Sequence, residues 1–211
     1  MPSGSLTVFP GFPHHVTQRG YRHREIVLDE DDCGRFIDLA AAETANAGAR
    51  VWAYALMTNH VHLILVPEER TSIAAAIDGI RRRYEQAFHE RHGPPGALWQ
   101  PRFYASVLDR QEFLWRAVRY VERNPVEAGM VFAAEDYPWS SAPWHCGQRS
   151  SDPLVSPDSP LRGAIEDWSR WLAEPDPRPV MRTGPSSRFV SRLEYLRGKK
   201  GLRQKRRGGA P

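Results

Sequence analysis

Apolar positions recur at strand and helix spacing through the first two thirds of the chain. Short apolar or alternating runs indicate strands, and apolar positions three and four apart indicate amphipathic helices. The predicted elements are a strand at 16–27, a helix that follows 29–32 and reaches about 47, strands at 51–57 and 61–66, a helix at 71–92, a strand at 103–108 and a helix at 111–123. Carboxylates at 29–32 are expected to cap the first helix, and Asn124-Pro125 is expected to end the last one. This order predicts an α+β sandwich, in which helices pack on an antiparallel sheet.

The strand at 61–66 is apolar on both faces apart from the neighbouring histidines, which predicts a central position in a covered sheet. The composition changes after about residue 146. Residues 147–188 are rich in proline and serine and read as a linker with a short helical element at about 165–172. Residues 189–211 are predicted to form a helix near 189–196 and then a basic tail. The expected organisation is therefore a catalytic domain at 1–146 followed by these two segments.

The net positive charge of the chain comes from its C-terminal residues. The formal net charge of the 211 residues is +4, but residues 197–211 hold seven basic residues and no acidic one. The preceding 196 residues hold 22 basic and 25 acidic residues, a net charge of −3. A basic tract of this kind is typical of polyanion binding or of a solvated end. Nucleic acid is thus a candidate partner of the tail rather than of the body.

Neither the cysteine content nor the hydropathy points to an exported or membrane protein. The two cysteines, Cys33 and Cys146, provide no disulfide or zinc framework. The longest apolar run is far too short to cross a bilayer, and the N-terminus lacks the pattern of a signal peptide. We therefore expect a cytoplasmic protein, associated with the nucleoid if it binds DNA.

A pair of histidines provides the sharpest local signal for chemistry. His60 and His62 are two residues apart at the start of a predicted strand, so both imidazoles emerge on one face. Two neutral imidazoles can bind a divalent metal, although a pair of structural histidines gives the same pattern.

The last predicted helix can add to such a site. Tyr120 and Asn124 are four residues apart and lie on one helix face. The Asn124 amide oxygen could complete a metal site, and the Tyr120 phenol would then stand one turn away, where a cation favours a phenolate nucleophile. A core tyrosine before an Asn-Pro helix stop explains the same residues without chemistry.

Five blocks of the sequence resemble, in order, those of the single-strand HUH tyrosine transposases. They are residues 15–27 with Arg19-Gly20, 55–65 around His60-Val61-His62, 98–103, 119–129 with Tyr120 and Asn124-Pro125, and 137–141. Within that superfamily the chain is most similar to the REP-associated tyrosine transposases, which act on repetitive extragenic palindromes. The resemblance covers residues 12–145.

The resemblance implies a fold, a reaction and a set of roles. The fold is a ferredoxin-like sandwich, and His60, His62 and Asn124 would hold Mg²⁺ or Mn²⁺. Tyr120 would attack a phosphate of single-stranded DNA, leaving a 5′-phosphotyrosine and a free 3′-hydroxyl that can reverse the step and rejoin the strand. The partner would be single-stranded or hairpin DNA, bound by a monomer or a homodimer.

Basic and aromatic residues outside the motifs are predicted to contact DNA. They are Arg19, Arg22, Arg81, Arg82, Arg83, Trp99, Gln100, Arg102, Lys199, Lys200, Arg203, Lys205, Arg206 and Arg207. Core packing of Trp99 is an equally good interpretation.

Tyr84, beside the three arginines, is the rival nucleophile, but Phe88 rather than a metal ligand follows it by one turn, so a solvated or DNA-facing helix side is expected there. His14 and His15 point to opposite faces of a strand and are interpreted as structural.

The sequence thus predicts a metal-dependent enzyme that cleaves and rejoins single-stranded DNA. Two alternatives from other classes stay open. A DNA- or RNA-binding protein that does not cleave has no need of His60, His62, Tyr120 and Asn124 together. A metal-dependent hydrolase that uses water would leave Tyr120 without a role, so Tyr120→Phe would spare its activity.

Overall fold

The computed structural model describes residues 7–93 and 96–174, and within them four strands form one antiparallel sheet in the order β2-β3-β1-β4. The strands are β1 (His14–Arg19), β2 (Ala49–Met57), β3 (His60–Pro67) and β4 (Tyr104–Val107). The helices are α1 (Glu30–Asn46), α2 (Ser72–His92), α3 (Gln111–Glu127), α4 (Ala142–His145) and α5 (Trp168–Ala173). The order β1-α1-β2-β3-α2-β4 with β1 and β3 at the centre is a ferredoxin-like arrangement. The predicted α+β fold is confirmed.

Strand β3 divides its side chains between two hydrophobic cores. Val61, Leu63 and Leu65 join the core beneath α1 and α2, whereas Ile64 and Val66 join the core beneath α3. The strand is central and buried, as its sequence predicts. Since side chains alternate along a strand, His60 and His62 share the face that carries α3. None of the helices in the described part of the chain is long and apolar enough to cross a membrane.

The first strand is shorter than the sequence predicts. It ends at Arg19, and Tyr21–His23 form a short 3-10 turn instead of continuing to residue 27. Gly20 causes the change of direction, because a Cβ there would lie 2.1 Å from the carbonyl oxygen of Arg24. Only glycine allows this close return of the backbone.

Helix α3 continues through the Asn124-Pro125 pair that was expected to end it. Pro125 lies in the last turn, where its missing N–H removes only one hydrogen bond of the helix, and α3 reaches Glu127. The helix is instead terminated at Gly129, which has a φ of 69° and donates its N–H to the carbonyl of Val126 at 2.9 Å.

The proline- and serine-rich segment is packed on the body as far as the structure describes it. Leu154 and Val155 join the core beneath α1 and α2, while Trp168 and Leu172 of α5 join the core beneath α3. The linker predicted for residues 147–188 is therefore not a solvated spacer over 147–174, because apolar residues between the prolines are buried. Helix α5 corresponds to the predicted element at 165–172. The predicted helix at 189–196 and the basic tail lie outside the described residues, and the boundaries of the three segments stay predictions.

Candidate active site

Strand β3 presents the two motif histidines side by side. In the ladder between β1 and β3, His60 is opposite Arg19 and His62 is opposite Thr17. The ring centroids of the two histidines are 4.8 Å apart, and the side chain of His62 is buried whereas that of His60 is partly exposed. The strand geometry predicted from the sequence is confirmed.

Helix α3 brings Tyr120 and Asn124 to the same histidines. The Tyr120 ring stands edge-on to His62, with centroids 5.4 Å apart and planes at 78°. One turn later the Asn124 side chain hydrogen-bonds the imidazole of His60. Four residues from a strand and a helix therefore form one cluster.

The ring nitrogens of this cluster are consistent with a metal site. Nδ1 of His60 lies 2.6 Å from Oδ1 of Asn59, and Nδ1 of His62 lies 3.0 Å from Oγ1 of Thr17. Nε2 of His62 is buried and has no hydrogen-bond partner among the described residues. A buried nitrogen without a partner is costly unless a ligand occupies its lone pair. Together with the amide oxygen of Asn124, the two imidazoles are a donor set that fits a divalent cation.

Burial keeps these histidines neutral at physiological pH. It lowers the pKa of His60 to about 4, an effect to which the charge of Arg19 adds and which the hydrogen bond to Asn124 partly offsets. The pKa of His62 lies well below its usual range, mainly through burial and then through the neighbouring imidazoles. Neutral rings have the free lone pairs that metal binding requires.

A third histidine, interpreted from the sequence as structural, belongs to the same cluster. Nε2 of His15 lies 2.9 Å from Nδ1 of His62, and its ring centroid is 5.9 Å from that of Tyr120. His14, on the opposite face of β1, is fully buried, and its Nδ1 lies 2.9 Å from the carbonyl oxygen of Phe12. These surroundings agree with a structural role. The sequence did predict opposite faces for the pair, but only the register between β1 and β3 identifies the one that faces the site.

A second group of possible metal ligands joins the beginning of α1 to the end of α2. Asp29, Asp32 and His92 place their ligand atoms within 4.8 Å of one another. However, Arg91 donates hydrogen bonds to both carboxylates and holds the pKa of Asp29 at about 2. Because a guanidinium already pairs with both carboxylates, we interpret this cluster as an ion-pair network that caps α1.

Two other tyrosines, Tyr84 and Tyr104, differ from Tyr120 in their surroundings. Tyr84 is fully buried and donates its hydroxyl to the carbonyl of Ile26 at 2.7 Å, so the solvated position predicted for it is wrong. Tyr104 is 51% exposed and stands opposite Thr17 on β4, which places it on the sheet face of His62 but nearer the edge. Tyr120, in contrast, contacts the imidazoles directly.

The predicted DNA contacts differ in their proximity to the cluster. Arg19 is opposite His60, and its charge helps to lower the pKa of both motif histidines. Gln100 donates its backbone N–H to the carbonyl of Arg19 at 2.9 Å and so lies beside it. Trp99 is only 2% exposed and donates its indole N–H to the carbonyl of Arg81, which corresponds to the packing interpretation and leaves no ring face for a base.

The other predicted contacts are exposed, engaged in contacts with other parts of the body, or outside the described residues. Arg22, Arg82 and Arg102 are exposed. Arg81 donates to the carbonyl of Pro101, and Arg83 forms an ion pair with Glu43 at 2.6 Å, so the three consecutive arginines do not converge on one point. The predicted contacts of the tail, Lys199, Lys200, Arg203, Lys205, Arg206 and Arg207, lie outside the described residues.

Comparison with known proteins gives the family. The family model described as "Transposase IS200 like" matches residues 11–124, which include His60, His62, Tyr120 and Asn124. No curated protein sequence matches the chain.

Among solved structures, a REP-associated tyrosine transposase bound to a REP hairpin has 16% identity and a TM-score of 0.61, with 90% of this chain and 100% of that chain covered. This likeness shows a shared fold. A putative transposase from Deinococcus radiodurans R1 has 22% identity and a TM-score of 0.40, with 58% of this chain and 97% of that chain covered. Because the family match spans more than half of the chain, the protein belongs to the IS200-like transposase family.

Proposed function

We propose that this protein is a metal-dependent transposase of the REP-associated type, which cleaves and rejoins single-stranded DNA at hairpins of repetitive extragenic palindromes. One observation carries the proposal. The Tyr120 ring stands edge-on to His62, whose buried Nε2 lacks a partner among the described residues, and Asn124, one turn after Tyr120, hydrogen-bonds His60.

Each member of the cluster has a role in the proposed reaction. Tyr120 is the nucleophile: its phenolic oxygen gives up its proton and forms a bond to phosphorus, while the bond from phosphorus to the 3′-oxygen breaks and that oxygen takes up a proton. The products are a 5′-phosphotyrosine and a free 3′-hydroxyl, and attack by a 3′-hydroxyl on the phosphotyrosine rejoins the strand and releases the tyrosine. His60, His62 and Asn124 would hold Mg²⁺ or Mn²⁺, which supplies Lewis-acid polarisation of the phosphate and favours the phenolate.

The rest of the chain supplies contacts to the DNA backbone. Arg19 is beside the cluster and can hold the scissile phosphate, because a guanidinium matches two phosphate oxygens. The exposed arginines and the basic residues 197–207 add contacts that depend on salt and do not read sequence. The structural neighbour bound to a REP hairpin supports a hairpin substrate. We propose that the protein acts on chromosomal DNA at the nucleoid.

The test is the capture of the covalent intermediate. The full chain is incubated with Mn²⁺ and single-stranded hairpin oligonucleotides taken from palindromic repeats of the host, labelled at either end. We expect a protein–DNA adduct that survives denaturation, carries the 3′ label and not the 5′ label, and is absent in the presence of a chelator.

Two tyrosine variants identify the nucleophile. Tyr120→Phe should form no adduct, whereas Tyr104→Phe, the same change at an exposed tyrosine on the same sheet face, should retain it. If the DNA is cleaved without an adduct, and if this cleavage persists in Tyr120→Phe, the protein would be a hydrolase that uses water. Hairpin binding without any cleavage in Mg²⁺ or Mn²⁺ would indicate a binding protein. Either result would contradict the proposal.

A further inference from the structure

The third histidine of the cluster forms a direct contact between two imidazoles. Nε2 of His15 lies 2.9 Å from Nδ1 of His62, and the rings are stacked with centroids 5.1 Å apart and planes at 28°. The contact follows from the register of the sheet, because Thr17 is opposite His62 and His15 precedes Thr17 by two residues on the same face.

A contact of this length between ring nitrogens requires one shared proton. Two bare lone pairs would repel each other, and so would two N–H groups, so one ring donates and the other accepts. A proton on Nε2 of His62 would be a buried donor without an acceptor among the described residues. A proton on Nδ1 of His62 has two acceptors within reach, Nε2 of His15 at 2.9 Å and Oγ1 of Thr17 at 3.0 Å. The arrangement therefore favours the Nδ1–H form of His62, in which Nε2 carries the lone pair.

We propose that His15 is a positioning residue of the metal centre, which accepts the Nδ1–H of His62 and thereby fixes the ring with Nε2 turned towards the cation. The inference rests on the metal site of the proposed function. Histidine ligands of metals commonly donate their second N–H to a carboxylate, a carbonyl or a water, and this partner fixes the tautomer and the ring orientation. In this protein the acceptor is another imidazole.

A neutral acceptor has a consequence for the reaction. A carboxylate at this position would bring a negative charge close to the site and weaken its attraction for the DNA phosphate. His15 orients the ligand without adding charge. Its ring also stands edge-on to Tyr120, so one side chain supports both the ligand and the nucleophile.

Metal affinity in the absence of DNA tests the role separately from catalysis. Mn²⁺ binding to the full chain is measured by calorimetry and electron paramagnetic resonance. His15→Leu, which removes the acceptor, should raise the dissociation constant about tenfold or more. His15→Gln, whose amide oxygen can accept in place of Nε2, should restore most of the affinity.

A matched control is the preceding residue. His14→Gln makes the same change on the opposite face of β1, where the ring contacts Phe9 and Phe12, and it should bind Mn²⁺ like the wild type. Thr17→Val tests the second acceptor and should have a smaller effect than His15→Leu. Unchanged affinity in His15→Leu, or a loss found only in Thr17→Val, would overturn the proposal.

A measurement on the wild-type protein does not depend on any variant being folded. Long-range ¹H–¹⁵N spectra of the metal-free protein should show His62 protonated at Nδ1, and a spectrum showing protonation at Nε2 would overturn the proposal.

Failure of the role of His15 is distinguishable from failure of the proposed function. If no DNA adduct forms but His15→Leu still weakens Mn²⁺ binding, the cleavage reaction is wrong and the role of His15 stands. If the adduct forms and His15→Leu binds Mn²⁺ normally, only the role of His15 is wrong.

Discussion

Replacement of Glu122 by alanine should destabilise the protein by about 3–5 kcal/mol, because its carboxylate is a buried acceptor that joins three helices. Glu122 lies in α3 and is fully buried. Its Oε1 accepts hydrogen bonds from Ser141 Oγ and His145 Nδ1, both at 2.5 Å. Its Oε2 accepts the indole N–H of Trp168 at 2.7 Å. These contacts connect α3 to α4 and to α5.

The expected loss follows from the donors that the substitution leaves without an acceptor. Nδ1 of His145 and Nε1 of Trp168 would each lose their partner, at a cost of about 1–3 kcal/mol for each buried donor. Ser141 loses less, because its hydroxyl also lies 3.3 Å from the carbonyl oxygen of Tyr54. The space left by the carboxylate adds a smaller cavity cost.

Urea unfolding followed by circular dichroism measures the effect, and the same helix offers a control. Glu127→Ala removes a carboxylate that is exposed and pairs with Arg123 at 2.7 Å, so it should cost at most about 0.5 kcal/mol. Trp168→Phe removes one donor and leaves one oxygen of Glu122 without a partner, so it should cost about 1–3 kcal/mol and remain measurable if Glu122→Ala does not fold. A loss in Glu122→Ala within about 1 kcal/mol of the loss in Glu127→Ala would refute the reasoning.

Three further changes test the protonation state, the metal site and the tail. Burial lowers the pKa of His14, His15 and His60 to about 4 from 6.5. The unfolded chain therefore takes up protons first as the pH falls, and the free energy of unfolding should decrease between about pH 6.5 and pH 4, by about 1.4 kcal/mol per pH unit for each histidine. Constant urea midpoints across this range would contradict the shift. Asn124→Ala should raise the dissociation constant of Mn²⁺ about tenfold in calorimetry, and unchanged affinity would exclude Asn124 as a ligand. Truncation after Leu196 should reduce the salt dependence of single-strand binding, by up to about 5 in the logarithmic slope, without abolishing cleavage, and an unchanged slope would contradict a role of the tail.

The sequence predicted most of the fold because the main signals are local. The apolar run of β3 and the helical spacing of α1, α2 and α3 depend only on neighbouring residues, and these elements are confirmed. The end of β1 was missed because Gly20 is required by the carbonyl of Arg24, a close approach that no local pattern shows. The packing of residues 147–174 was missed for a similar reason, since isolated apolar residues such as Leu154 among prolines indicate burial only once their partners are known.

The site was predictable in its pieces and not in its assembly. The spacing of His60 and His62 along a strand, and of Tyr120 and Asn124 along a helix, indicates two pairs of neighbours. That α3 lies over β3, and that β1 brings His15 to His62, depends on strand register and helix packing between distant segments. Tyr84 illustrates the opposite error, because its basic neighbours suggested a helix side that faces solvent or DNA for a ring that the fold uses as core.

The two sides of α3 connect the chemistry to a segment that lies beyond the family motifs. Tyr120 and Asn124 share the side that faces the histidines, whereas Glu122, two residues from each, faces away from them to the donors in 141–168. Glu122, the acceptor that holds the helix, is therefore separate from the groups that we propose act on DNA. Since α5 supplies one of the three donors to Glu122, the segment at 147–174 supports the helix that carries Tyr120, the proposed nucleophile. The proposed active site thus depends on residues after the block at 137–141, and a chain cut at residue 146 would lose one of the supports of α3.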